Sequence, residues 1–149
     1  MNIPYFSRRG IEAGTRERLE ILHRDLTGPF EAAEAGRVWS LDSVRTQRLL
    51  AHLAAKGWLV RIKRGLYATV PLGAAEPADW REDTWAVAVC SFTPCYIAGW
   101  SACEHWGLTE QIFRDIAIVT GQPVRKSPVA IQGTAFHLRH RSEDRLFGT

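Results

Sequence analysis

Seven side chains in two short stretches have types and spacings suited to a polyanion. "SVRTQR" supplies Ser43, Arg45, Gln47 and Arg48, and "RIKRG" supplies Arg61, Lys63 and Arg64 beside Gly65. Arginine pairs bidentately with guanine O6/N7 and glutamine with adenine N6/N7. Serine hydroxyls and clustered cations hold phosphate oxygens, which fixes register but carries no sequence information. Base-edge donors on one segment and phosphate contacts on another amount to the chemistry of duplex recognition.

Two other constellations carry less. Cys90, Cys95, Cys103 and His105 include an admissible zinc spacing at Cys90-x4-Cys95. Cys103 and His105, however, are two apart on an expected helix and so point about 200° apart, too far for one ion. The cysteines are expected to be small buried hydrophobes, with no metal and no cofactor. Ser101, Cys103, Glu104 and His105 could be assembled into a nucleophile, but no Gly-x-Ser-x-Gly elbow surrounds Ser101 and no phosphate-cradling glycine loop occurs. Ser101 and Glu104 instead have capping-box spacing. No catalytic residue is expected.

The elements that must position the seven follow from periodicity. After an opening arm carrying Arg8-Arg9, Thr15 is a plausible cap for a helix with Leu19, Leu22 and Leu26 inward. "PFEAAEAG" suggests a second helix stopped by Gly36. Ser40 or Asp42 can cap the third, with Val44, Thr46, Leu49, Leu50 and Leu53 inward and Gly57 after its end. The period then becomes two: Trp58, Val60 and Ile62 on one side, Leu59, Arg61 and Lys63 on the other, with a turn at Gly65 and "LYATV" returning. Three helices and a hairpin, the third helix basic, is the order of a winged helix-turn-helix. There the third helix enters the major groove and the hairpin tip lies along the backbone or a minor groove.

"PLGAAEPADW" (71–80) reads as a linker. Beyond it, 80–92 looks like a buried helix with Trp85, Val87, Val89 and Phe92 apolar. "PCYIAGW" is a short strand or turn, "SACEHWG" a compact helix, and "DIAIVT" and "TAFHLRHR" strands joined by a loop. Trp58, Trp85 and Trp106 are expected in the core and Trp39, Trp80 and Trp100 near element ends. The late cations Arg125, Lys126, Arg139 and Arg141 are expected to be solvated. The fold class is therefore α+β, with a winged helix-turn-helix over 1–72 and a small α/β module over 73–149.

Charge follows the same division. Residues 1–72 hold twelve Lys/Arg against seven Asp/Glu, a net +5, while 73–149 hold seven against nine, a net −2. Between 37 and 64 seven cations face Asp42 alone. Such asymmetry assigns the polyanion to the first half. The longest apolar run, "WAVAVC", is too short to span a bilayer, and no signal peptide opens the chain. Three cysteines form no disulfide framework, so a cytoplasmic location without membrane partners is expected.

"LAAKGWLVRIKRGLYATVP", followed at a distance by "CYIAGWSACEHWGLTEQIFRDIAIVTG", resembles the AbiEi-like antitoxins of type IV toxin–antitoxin systems. The family's L-x-R-x-x-R-G-x-Y hairpin is matched at Leu59, Arg61, Arg64, Gly65 and Tyr67. Its second segment is matched at Tyr96, Ile97, Ser101, Ala102, Gly107, Leu108 and Thr109. The resemblance spans roughly 15–140. It implies binding of double-stranded DNA at the system's own promoter, autorepression, and antagonism of a nucleotidyltransferase-like toxin by the C-terminal part. Family members continue past the last strand into further helices, whereas this sequence stops at Thr149. The second module is therefore expected to be either a truncated piece or a short version of the family's, which bears on toxin antagonism more than on DNA binding. Two alternatives stand beside this reading: a protein-interaction module with incidental DNA contact, and a winged helix that holds structured RNA.

Overall fold

Leu19 and Leu22 are buried on α1 (Ala13–Asp25), the first element of the computed structural model, which describes residues 11–74, 76 and 79–146. The Arg8-Arg9 arm lies outside the described residues. The chain is mixed α+β and divides into two compact units, Met1–Glu82 and Asp83–Thr149. The division falls after Glu82 rather than after Leu72. Leu72, just past β3, borders a cavity on α1 with Leu19, His23 and Trp58.

In the first unit α1 begins two residues before Thr15, with Glu12 at its N-cap. The amides of Thr15 and Arg16 both donate to the Glu12 carbonyl. A two-residue strand, β1 (Phe30–Glu31), precedes α2 (Ala32–Trp39), where the sequence suggested only helix. Phe30 is buried and pairs with Tyr67, so a side chain with strand propensity is spent closing a sheet. Gly36 does not stop α2; it lies inside the helix, which ends at Ser40 with φ 53°. Its missing side chain lets α3 approach, because a Cβ on Gly36 would meet Thr46 Oγ1 at 3.0 Å. Trp39 closes the same core, and its ring N–H donates to the Arg18 carbonyl at 2.9 Å.

α3 (Ser43–Ala55) buries Thr46, Leu50 and Leu53. After Gly57, at φ 78°, β2 (Leu59–Lys63) and β3 (Leu66–Thr69) form an antiparallel hairpin, and the sheet order is β1-β3-β2. The expected alternation of β2 fails, since Leu59 and Ile62 are both buried although three apart. Arg61 pairs with Tyr67 but Lys63 pairs with Leu66, so β2 carries one extra residue, a bulge at Ile62. A bulge shifts the side-chain phase, which lets both apolar residues turn inward and leaves Arg61 and Lys63 exposed.

The second unit opens with α4 (Thr84–Phe92), capped by Asp83, whose carboxylate accepts from the Ala86 amide at 2.8 Å. β4 (Cys95–Ile97), α5 (Gly99–His105), β5 (Ile116–Thr120), β6 (Val129–Ile131) and β7 (Thr134–His140) follow. The sheet order is β4-β5-β7-β6, with β5 and β7 parallel. β6 lies where the sequence suggests a loop. It makes a two-residue hairpin with β7 through Gln132 and Gly133, both at positive φ as such a turn requires. Phe92 packs on Phe136, ring centroids 5.5 Å apart. Two apolar expectations fail here: Val89 and Trp106 are exposed, Trp106 at 74%. No helix among the described residues is long and apolar enough to cross a membrane.

Candidate nucleic-acid interface

The start of α3 is fixed by Asp42. Its Oδ1 accepts from the Arg45 amide at 2.9 Å, satisfying one of the donors a helix start leaves open. Between Ser43 and Ala55 the helix has no acidic residue. With Thr46, Leu50 and Leu53 inward, helical geometry puts Val44, Arg48 and Ala51 at the middle of the outward face. Ser43 and Gln47 occupy one shoulder of that face, Arg45 and His52 the other.

The two shoulders differ. Ser43 and Gln47 line a cleft of about 410 Å³ against α2, together with Ala32, Ala33, Gly36 and Arg37. Arg45 is turned back to its own cap, Nε 3.3 Å from Asp42 Oδ2, with both side chains mostly exposed. Such an exposed pair is worth little and opens readily to a stronger anion. Arg48 takes part in no ion pair among the described residues, and its neighbours one turn away are Val44, Arg45, Ala51 and His52.

The hairpin presents the second group. Arg61, Lys63 and Arg64 are all exposed, and Gly65 takes the turn at φ 80°. This tip is anchored: the Ala32 amide donates to the Gly65 carbonyl at 3.1 Å. Ala32 also lines the cleft with Ser43 and Gln47, so the turn and the first half of α3 meet at the start of α2. Ser43 and Gln47 thus face the start of α2, where the turn is anchored, while Arg48 faces outward and Arg45 pairs with Asp42.

No family model matches the chain, and no curated protein matches it.

Two residues of this surface are not among the seven expected there. Arg37, exposed on the last turn of α2, faces Ser43 and Gln47 across the cleft. Its signal was present in the charge run of 37–64, but its position relative to α3 depends on the helix crossing. Val44, assigned inward for its apolar side chain, is 58% exposed.

The other constellations resolve differently. Ser101 does not cap α5, whose N-cap is Ala98. Its hydroxyl is buried, donating to the Asp115 carbonyl at 3.3 Å and accepting from the Ala117 amide at 3.0 Å. Glu104 accepts from the Phe113 amide at 2.9 Å. Both polar side chains hold the segment leading into β5. The His105 ring packs on Trp85, with centroids 4.6 Å apart. Cys90, Cys95 and Cys103 are thiols, but none is fully buried as expected: Cys90 is exposed and the other two are half-buried. Burial, with Cys90 nearby, pushes the Cys95 thiol above its ordinary value.

Proposed function

We propose that the first unit is a winged helix-turn-helix that reads double-stranded DNA. The protein then acts as a non-enzymatic cytoplasmic autorepressor and antitoxin of the AbiEi-like kind. The observation that carries this reading is the joined surface. The acid-free α3, with Arg48 outward, packs on α2 through Gly36 and Thr46, and the exposed cationic turn is bonded to the first residue of α2 through Ala32 and Gly65. α3 supplies base-edge donors from Arg45, Gln47 and Arg48, with Ser43 on a phosphate, and Arg61, Lys63 and Arg64 neutralise the backbone. Repression follows from occupancy of the operator, on repeated half-sites if two copies bind.

A titration against the DNA upstream of its own gene and a shuffled copy, at two salt concentrations, tests the reading. Tighter binding to the native duplex that survives the higher salt is expected, because base contacts are less salt-sensitive than phosphate contacts. Equal, salt-labile binding to both duplexes overturns it.

A second reading has its own observation. Trp100, Trp106, Leu108 and Ile112 of the second unit are all exposed, Ile112 at 86%. Large exposed apolar residues close together in sequence suit a protein partner, and the family resemblance suggests a nucleotidyltransferase-like toxin. Co-purification of a toxin with no operator preference favours this reading over the first.

A further inference from the structure

Val44 is the apolar side chain on the outward face of α3. At 58% exposure it contributes almost nothing to the core, and its β-branched side chain is a poor helix former. Arg48 lies one turn later on the same face, and the next outward position, Ala51, is small, so this face can approach a surface closely. A methyl-bearing side chain in such a place has one complementary feature in a major groove, the 5-methyl group of a pyrimidine.

We infer that Val44 is a specificity-determining residue that packs on a pyrimidine 5-methyl group, one or two base-pair steps from the guanine read by Arg48. The step count follows from geometry. Side chains one helical turn apart are about 6 Å apart, and base pairs rise about 3.4 Å each. The inference rests on the DNA-reading proposal and deepens it by naming a base feature. Thymine and 5-methylcytosine both supply that feature.

The test selects the best-bound duplex from a randomised pool, then replaces each thymine singly by uracil, which removes the methyl group and keeps the pairing. In a parallel arm each cytosine is replaced by 5-methylcytosine. The full-length protein and Val44→Ser are compared; because residue 44 is exposed, the variant leaves the core intact. The expected result is a methyl effect of about threefold to tenfold at one position near the base pair whose preference Arg48→Ala loses. In Val44→Ser that effect falls below about twofold.

A loss on uracil substitution identifies thymine as the source, and a gain on cytosine methylation identifies 5-methylcytosine; either supports the inference. A selected duplex on which no methyl group matters, or an equal effect in Val44→Ser, overturns it while leaving DNA reading intact. A pool that yields no preferred sequence overturns the DNA-reading proposal, and this inference with it.

Discussion

Gly36 and Thr46 set the distance between α2 and α3: a Cβ added to Gly36 would lie 3.0 Å from Thr46 Oγ1 and 3.4 Å from the Leu41 carbonyl. Thr46 is 1% exposed, and its hydroxyl has no hydrogen-bond partner among the described residues. Gly36→Ala therefore sets a gain in helix propensity of about 1 kcal/mol against overpacking of about 1–3 kcal/mol. The expected outcome is a net loss of stability in the natural background. In a Thr46→Ala background the same change becomes neutral or stabilising. Urea unfolding of the four variants of this cycle checks it, and an unchanged effect of Gly36→Ala across backgrounds would contradict the contact.

The two groups of polar residues should separate by experiment. Arg61→Ala, Lys63→Ala and Arg64→Ala combined should weaken binding to every duplex and flatten the salt slope by about 2–3 units. Gln47→Ala or Arg48→Ala should instead relax sequence preference, at about 1–3 kcal/mol per lost base contact. Binding isotherms at several salt concentrations, on preferred and shuffled DNA, distinguish the two. A triple variant with an unaltered slope removes the hairpin from the interface.

The buried Ser101 hydroxyl links α5 to the segment entering β5 through the Asp115 carbonyl and the Ala117 amide. Ser101→Ala leaves those groups short of a partner and should cost about 1–3 kcal/mol. Ser101→Thr, which retains the hydroxyl, should retain part of that stability if its methyl group fits. Thermal unfolding of the full chain measures both. Alanine behaving like the natural protein would show that the hydroxyl bridge contributes nothing.

Cys95 gives a pH dependence with a defined sign. Burial raises its thiol above the ordinary 9.0, so at rising pH the unfolded chain releases this proton before the folded one does. The group leaves stability unaffected below that value and lowers it above. Alkylation followed by mass spectrometry should therefore find exposed Cys90 modified first. The rate at Cys95 should rise only at higher pH. A Cys95 midpoint at or below the ordinary 9.0 would contradict the burial argument.

Much of the first unit was legible because its signals are local. Gly57 after the end of α3 and Gly65 in the turn follow from residue type and neighbours, which also narrow the cap of α3 to Ser40 or Asp42, of which Asp42 holds it. What was not legible depends on contacts distant in sequence. Gly36 resembles a helix stop until Thr46 is seen against it. Ile62 and Leu59 are both inward only because the register against Tyr67 and Leu66 slips by one residue. β1 exists because Phe30 finds Tyr67.

The candidate site shows the same limit. The exposure of Ser43, Arg45, Gln47, Arg48, Arg61, Lys63 and Arg64 could be expected from charge and polarity. The cleft that joins Ser43 and Gln47 to Arg37 could not, since it depends on how two helices cross. Val44 was misassigned because hydrophobic patterning treats every apolar residue as a core residue. Ser101 was misassigned because cap spacing is local, whereas its partners lie on the approach to β5.

The bond from Ala32 to Gly65 has a mechanical consequence. A hairpin held only at its base can sway, and a swaying arm tolerates variable spacing between the points it touches. Here the turn is pinned to the first residue of α2, and α2 is seated on α3 through Gly36 and Thr46. Packed elements of this kind shift together or not at all. The span from the outward face of α3 to the cations of the turn is therefore a fixed length. On the DNA-reading proposal, a duplex that engages both must match that length, so spacing is selected along with sequence.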